Sequence, residues 1–172
     1  GIKNIFPINV TQQAAEEVVI PTSALAIVVV PVYGGHVAPL AMERLRNIRG
    51  LDAPTVLVAV YGNRAYEKAL MELDAFATPH GMKVIAGATF IGEHSYSTDK
   101  HPISAGRPDN SDLAFAADFG KKIMEKVHSY LPNADGSKIH LAMEQAMHAH
   151  EGQKRRDGSD YVTHPIAVAE II

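Results

Sequence analysis

The chain has 172 residues, 47 % hydrophobic and 20 % charged, enough apolar material for one ordinary domain core and too much for a disordered chain. Its formal net charge of -3 gives no general attraction to nucleic acid or an anionic membrane surface, and no apolar run reaches membrane-spanning length, so neither is expected as a partner. The absence of cysteine excludes disulfides, thiolate zinc sites, iron–sulfur ligation and cysteine nucleophiles within this chain, and fits a reducing cytoplasm.

In chain order, residues 2–11 (IKNIFPINVT) read as a short strand leaving into a polar turn, with Pro7 pointing to an edge position or a bend. Residues 24–30 (ALAIVVV) form a second strand that is apolar without alternation. Residues 39–50 (PLAMERLRNIRG) read as a helix with Leu40, Leu45 and Ile48 on one side and Gly50 as its stop. Residues 55–60 (TVLVAV) give the next strand. The stretch 64–81 then repeats Ala65, Ala69, Leu70, Leu73 and Phe76 at helical spacing, with Gly81 past its end. Residues 83–91 (KVIAGATFI) are a further strand. Residues 110–131 are a further helix, with Asp109, Asn110 or Ser111 as its cap. Continuous apolarity in the strands predicts cover on both faces, as in a parallel sheet. The strand–helix alternation predicts an α/β fold with an open, doubly wound parallel sheet in three layers. A Pro/Asn/Asp/Gly cluster at 132–137 ends this domain, taken as residues 1–131. A helical segment, residues 137–172, follows. It runs as a helix into a basic turn, and then into a helix with Thr163 as cap and Pro165 in its first turn.

Three loops share one logic, because each follows the C-terminal end of a candidate parallel strand, where open α/β sheets bind ligands. They are PVYGGHVAP, YGNRAYE and GEHSYSTDKHP. Gly34, Gly35 and Gly62 let a flat ligand approach the backbone. Tyr33, Tyr61, Tyr66 and Tyr96 can stack on such a ligand, and Asn63, Arg64, His94 and Ser95 offer polar contacts. A small planar ligand such as a redox ring meets these requirements; the plainer alternative is turn glycines with surface tyrosines. His94 beside Ser95 lacks the Gly-x-Ser-x-Gly elbow of a serine hydrolase.

The segments VPVYGGHVAPLAMERL, VLVAVYGNRAYEKALMEL, KVIAGATFIGEHSYS and AGRPDNSDL together resemble the flavodoxin-like half of flavodoxin–ferredoxin fusion proteins, over about residues 2–128 and in the same order. The resemblance implies a flavodoxin-like fold that binds flavin mononucleotide (FMN), an electron-transfer or oxidoreductase role, and a redox partner protein. It also implies that Tyr33, Gly34 and Gly35, then Tyr61, Gly62, Asn63 and Arg64, then His94, Ser95 and Tyr96 surround the flavin ring. Such domains open with a strand, a Ser/Thr/Gly-rich phosphate loop and a helix, and nothing of that kind stands ahead of residue 2. The domain is therefore expected to be N-terminally incomplete, with FMN binding weakened by the missing phosphate loop and dominated by the ring. The vacancy beside residues 24–30 is expected to be filled by residues 5–10 or by a second copy of the chain, and self-association is the favoured outcome.

AHEGQKRRDGSDYVTHPIAVAEII, residues 149–172, resembles the opening of the metal-dependent hydrolase domain of guanosine tetraphosphate synthetase/hydrolases, with Asp160 where a proline is usual. This resemblance implies that His164 is a divalent-metal ligand and that Arg155 and Arg156 lie against a guanine base. A single imidazole does not complete such a site, so the tail is expected not to hydrolyse the nucleotide. Without the family, His140, His148, His150 and His164 could be read as a histidine metal cluster, against which their spacing argues. Lys154 to Arg156 would then be a solvated basic turn. Three functions from different classes are thus carried forward: a flavin electron-transfer domain, a metal-dependent (p)ppGpp hydrolase fragment, and a non-catalytic chimera or fragment.

Overall fold

Two runs of β-branched residues organise the chain into parallel strands. The computed structural model describes residues 6–10 and 16–130. Their strands are β1 (Val18–Ile20), β2 (Ala26–Tyr33), β3 (His36–Val37), β4 (Ile48–Gly50), β5 (Ala53–Tyr61) and β6 (Met82–Ile91). The helices are α1 (Pro39–Leu45), α2 (Ala69–Ala77), which continues into a single 3-10 turn at Thr78–His80, and α3 (Asn110–Tyr130). The fold is α/β. Its main sheet has the order β3-β2-β5-β6, and β1 pairs with β4 in a separate two-stranded sheet. β2, β5 and β6 are parallel, while β3 is antiparallel to β2, so the sheet is mixed where the sequence suggested a purely parallel one. Residues 8–107 form one compact unit, and α3 belongs to another.

β5 is the central strand and shows why its sequence does not alternate. Both of its edges are paired, and residues 55–59 are all buried. The hydroxyl of Thr55, in this apolar setting, is satisfied by donating to the Ala53 carbonyl at 2.9 Å. β2 departs from the expectation. Ala26, Val28 and Val30 are buried, but Val29 on the other face is 43 % exposed. Its inner edge pairs with β5 from Ala26 to Pro31, whereas β3 meets its outer edge only at Val32 and Tyr33. Among the described residues no strand lies beside the outer edge at 26–30, and residues 6–10 form none. Val10 instead packs against the core, with its carbonyl held by Arg44 at 3.1 Å.

The core joins Val28, Val30, Val37, Leu57 and Ala59 of the sheet to Ala69, Leu73 and Ala77 of α2, with Leu45, Ile48 and Met82 completing it. Ile48 corrects the sequence reading. The helical pattern put it on the buried face of one long helix, but α1 stops at Leu45 and Ile48 enters the core from strand β4. Either geometry buries the same residue, so apolar spacing alone did not separate them.

Two features set the strand ends. Gly50 and Gly81 meet backbone to backbone: Gly81 takes the left-handed conformation (φ +75) after the 3-10 turn, and its carbonyl accepts the Asp52 N–H at 2.9 Å. A bulge in β6 lies opposite Thr55 and Val56, which pair with Val84 and Ala86, leaving Ile85 as the extra residue. In the other unit, α3 begins where the sequence placed it. The Asp109 carboxylate accepts the N–H groups of Ser111 at 2.8 Å and Asp112 at 3.1 Å, and the Asp112 carboxylate accepts the Asp109 N–H at 2.8 Å. This reciprocal cap satisfies donors that a helix start leaves open. Ala116, Ile123 and Val127 form its buried stripe. The helical segment expected at 137–172 lies outside the described residues.

Candidate functional site

Parallel strands end on one edge of a sheet, so β2, β5 and β6 deliver three loops to the same edge. The first is a tight hairpin. Tyr33 pairs with His36, and Gly34 (φ +62) and Gly35 (φ +84) make a two-residue turn of the kind that needs two left-handed residues. A side chain at Gly34 would meet open space, so the backbone there is accessible. A Cβ at Gly35 would strike the Glu67 side chain at 2.6 Å. Tyr33 is 64 % exposed.

The second loop leaves β5 at Tyr61. The Tyr61 and Tyr66 rings pack edge-on with centroids 5.6 Å apart, and Asn63 and Arg64 are exposed between them. Gly62 has a specific reason to lack a side chain, since a Cβ there would lie 2.7 Å from the His94 ring and 3.1 Å from His94 Cα. The third loop, after β6, is fastened to the second. Gly92 donates to the Tyr61 carbonyl at 2.9 Å, and the Ser104 hydroxyl donates to Asn63 Oδ1 at 3.1 Å. It then doubles back on itself. The His94 N–H reaches the Ile103 carbonyl at 3.1 Å, the Tyr96 N–H reaches His94 Nδ1 at 3.1 Å, and Ser97 Oγ accepts from the Ile103 N–H at 3.1 Å. The His94 and Tyr96 rings lie 5.3 Å apart, and Tyr96 is 79 % exposed, as is neighbouring Ser95 in large part.

The second and third loops therefore form one polar and aromatic ledge, with Tyr61, Gly62, Asn63, His94 and Tyr96 in mutual contact or one bond removed. The hairpin joins them through the start of α2. Lys68 N–H donates to the Gly35 carbonyl at 2.9 Å, and the Glu72 carboxylate takes His36 Nδ1 at 2.5 Å and the Val37 N–H at 3.0 Å. His36, Glu67, Glu72 and Ser104 were not among the residues singled out from sequence. Glu72 lies 36 residues from His36, and a glutamate in a helix's first turn is too common to announce a partner. Its hydrogen bonds from His36 and then from Val37 hold its carboxyl below the ordinary value of 4.5, with Lys68 adding a smaller pull and burial opposing.

Among the described residues no group of three or more His, Asp or Glu side chains could hold a metal ion. His164, Arg155 and Arg156 lie outside the described residues. No helix of the described residues is long and apolar enough to cross a membrane.

No family model and no solved structure matches the chain. A 44-residue stretch is 43 % identical to the putative chloroplastic GTP diphosphokinase RSH1 of Arabidopsis thaliana, covering 26 % of this chain and 5 % of that protein. A 52-residue stretch is 38 % identical to the bifunctional (p)ppGpp synthase/hydrolase SpoT of Escherichia coli K12, covering 30 % of this chain and 7 % of that one. The chain thus spans only a small fraction of the relatives it matches. These matches support the resemblance of the C-terminal tail and do not bear on the flavin reading.

Proposed function

We propose that residues 8–107 belong to a flavodoxin-like electron-transfer domain that takes the ring of FMN at the C-terminal edge of β2, β5 and β6. The observation that carries this reading is that three successive parallel strands end in loops that each combine exposed or glycine backbone with an aromatic ring. The ring half of the ligand fits the residues present. Gly34 leaves room for backbone approach, Tyr33 and Tyr96 have exposed faces, and Gly62 with His94 and Asn63 supplies a polar ledge. Neither helix of residues 8–107 supplies the phosphate half. α1 opens on Ala38 and Pro39 and α2 on Lys68, both without a side-chain cap, and neither opens on a Ser/Thr/Gly-rich loop. When bound, the flavin would supply reversible electron acceptance; Tyr33 and Tyr96 would stack on it, and Asn63 and His94 would meet its polar edge.

Binding should then be dominated by the ring. Stacking contributes about 1 kcal/mol per aromatic pair, whereas each charge-assisted bond to a phosphate contributes roughly 1.5–3 kcal/mol. Fluorescence titration of the purified chain should give riboflavin and FMN dissociation constants of similar size. Failure to bind either removes the reading, and a large preference for FMN identifies a phosphate site elsewhere in the chain.

The similarity to (p)ppGpp synthase/hydrolases favours a second reading, in which the tail is part of a metal-dependent nucleotide hydrolase and His164 is one of its ligands. Manganese-dependent release of pyrophosphate from guanosine tetraphosphate, lost in His164→Ala, would establish it. No release from the intact chain would leave the tail a non-catalytic appendage.

A further inference from the structure

We infer that Glu72 is a positioning residue that ties the Tyr33-bearing hairpin to α2 and thereby fixes it against the loop carrying Tyr61 and Gly62. The inference rests on the flavin reading for what the loops hold, but the tie itself is read from the hydrogen-bond pattern of the hairpin.

In a two-residue hairpin the flanking residues, Tyr33 and His36, form a hydrogen-bonded pair, and the next pair, Val32 and Val37, does not. The bonding resumes at the following pair, where the Ala38 N–H donates to the Pro31 carbonyl at 3.0 Å. The Val37 N–H therefore points away from β2, at a residue only 3 % exposed, and needs an acceptor from outside the sheet. Glu72 Oε2 is that acceptor, at 3.0 Å. Its other oxygen takes His36 Nδ1, and because an ionised carboxylate only accepts, the proton lies on the histidine nitrogen. One side chain thus closes the edge of β3 and holds the residue after the Gly-Gly turn.

An isolated ion pair this exposed would contribute little, the two side chains being 53 % and 36 % accessible. The backbone bond makes the difference, because it is directional and leaves a buried donor unpaired if lost. Two further contacts act on the same hairpin: Lys68 N–H on the Gly35 carbonyl, and the Glu67 side chain packed on Gly35. Lys68 also draws the Glu72 carboxyl down, by less than the His36 and Val37 hydrogen bonds do. Glu67 holds a positive φ of 35, unusual for a side-chain-bearing residue, at the point where the Tyr61 loop hands over to α2. The hairpin and the second loop thus share one anchor, so a change in either should be felt by the other.

The test uses the full chain with Glu72→Ala, Glu72→Gln and His36→Gln, read by amide hydrogen exchange without ligand and by riboflavin titration. Glu72→Ala should speed Val37 exchange roughly two- to tenfold and weaken riboflavin binding by a similar factor, as expected for one net hydrogen bond. Glu72→Gln keeps a neutral acceptor for Val37 and should fall between Ala and wild type. His36→Gln should leave Val37 exchange nearly unchanged. Unaltered Val37 exchange in Glu72→Ala overturns the tie. Faster exchange with unaltered riboflavin affinity overturns its role in positioning the site. If the wild-type chain binds no riboflavin, the flavin reading fails, while the exchange data still decide the tie.

Discussion

Replacing Gly50 by alanine should destabilise residues 8–107 through a single backbone clash. The Cβ added would stand 2.5 Å from the Gly81 carbonyl oxygen and 3.0 Å from its carbon, about 0.9 Å inside the 3.4 Å at which ordinary contact begins. The obstacle cannot rotate away, because it is main chain. The Gly81 carbonyl accepts from Asp52, its N–H donates to Thr78 at 3.1 Å, and β6 starts at the next residue. Moving one segment costs about 1–3 kcal/mol by comparison with overpacked interiors. Stiffening the unfolded chain returns about 0.4–1 kcal/mol, since Gly50 does not occupy the left-handed region. The net loss is about 0.5–2 kcal/mol, which lowers a urea midpoint by a few tenths to about 1 M. Gly81→Ala meets the same clash and also forces alanine to a φ of +75, so it should lose about 1 kcal/mol more. Gly34→Ala, with φ +62 and nothing within 4 Å, carries only the conformational part and should fall well short of Gly81→Ala. A Gly50→Ala chain as stable as the parent would refute the backbone contact.

Other outcomes follow from the same geometry. Leu73→Ala removes a fully buried side chain from the centre of the core and should cost about 2–5 kcal/mol in urea unfolding. Asp109→Ala should cost about 1 kcal/mol of α3 stability, read as faster amide exchange at Ser111 and Asp112, whose N–H groups it accepts. Glu72 is held below its ordinary value in the folded chain, so the stability it adds is present above about pH 4.5 and is lost as pH falls through its lowered value. Thermal midpoints of wild type and Glu72→Gln should therefore differ at neutral pH and converge in acid.

What could be read from sequence was whatever one segment decides by itself. The runs at 55–60 and 83–91 fall within β5 and β6, and that at 24–30 overlaps β2 from Ala26 on, because β-branched apolar residues need no distant partner to announce a strand. Asp109 was legible as a cap for the same reason. The short strands were not. Val18–Ile20 and Ile48–Gly50 are strands only by virtue of each other, and His36–Val37 only by folding back on β2. At the site, glycines and tyrosines marked the loops, but the contacts that give those glycines a purpose could not be read. Gly62 answers to His94, 32 residues on, and Gly35 to Glu67, 32 residues on. Such pairings exist only once the sheet has brought its strand ends together.

The bulge at Ile85 has a consequence for how this strand tolerates insertions and deletions. Before it, Met82 and Val84 share a face with Ala53 and Thr55; after it, Gly87 and Thr89 share that face with Leu57 and Ala59. The extra residue acts as a frame correction, switching the odd and even positions of β6. Removing Ile85 alone would leave one β6 residue opposite each β5 residue, so the bulge closes and both halves keep their partners and their faces. Gly92 then still falls opposite the Tyr61 carbonyl, and His94 still meets Gly62. The bulge is thus slack in β6: the strand can lose one residue at Ile85 and still present its two binding loops in alignment.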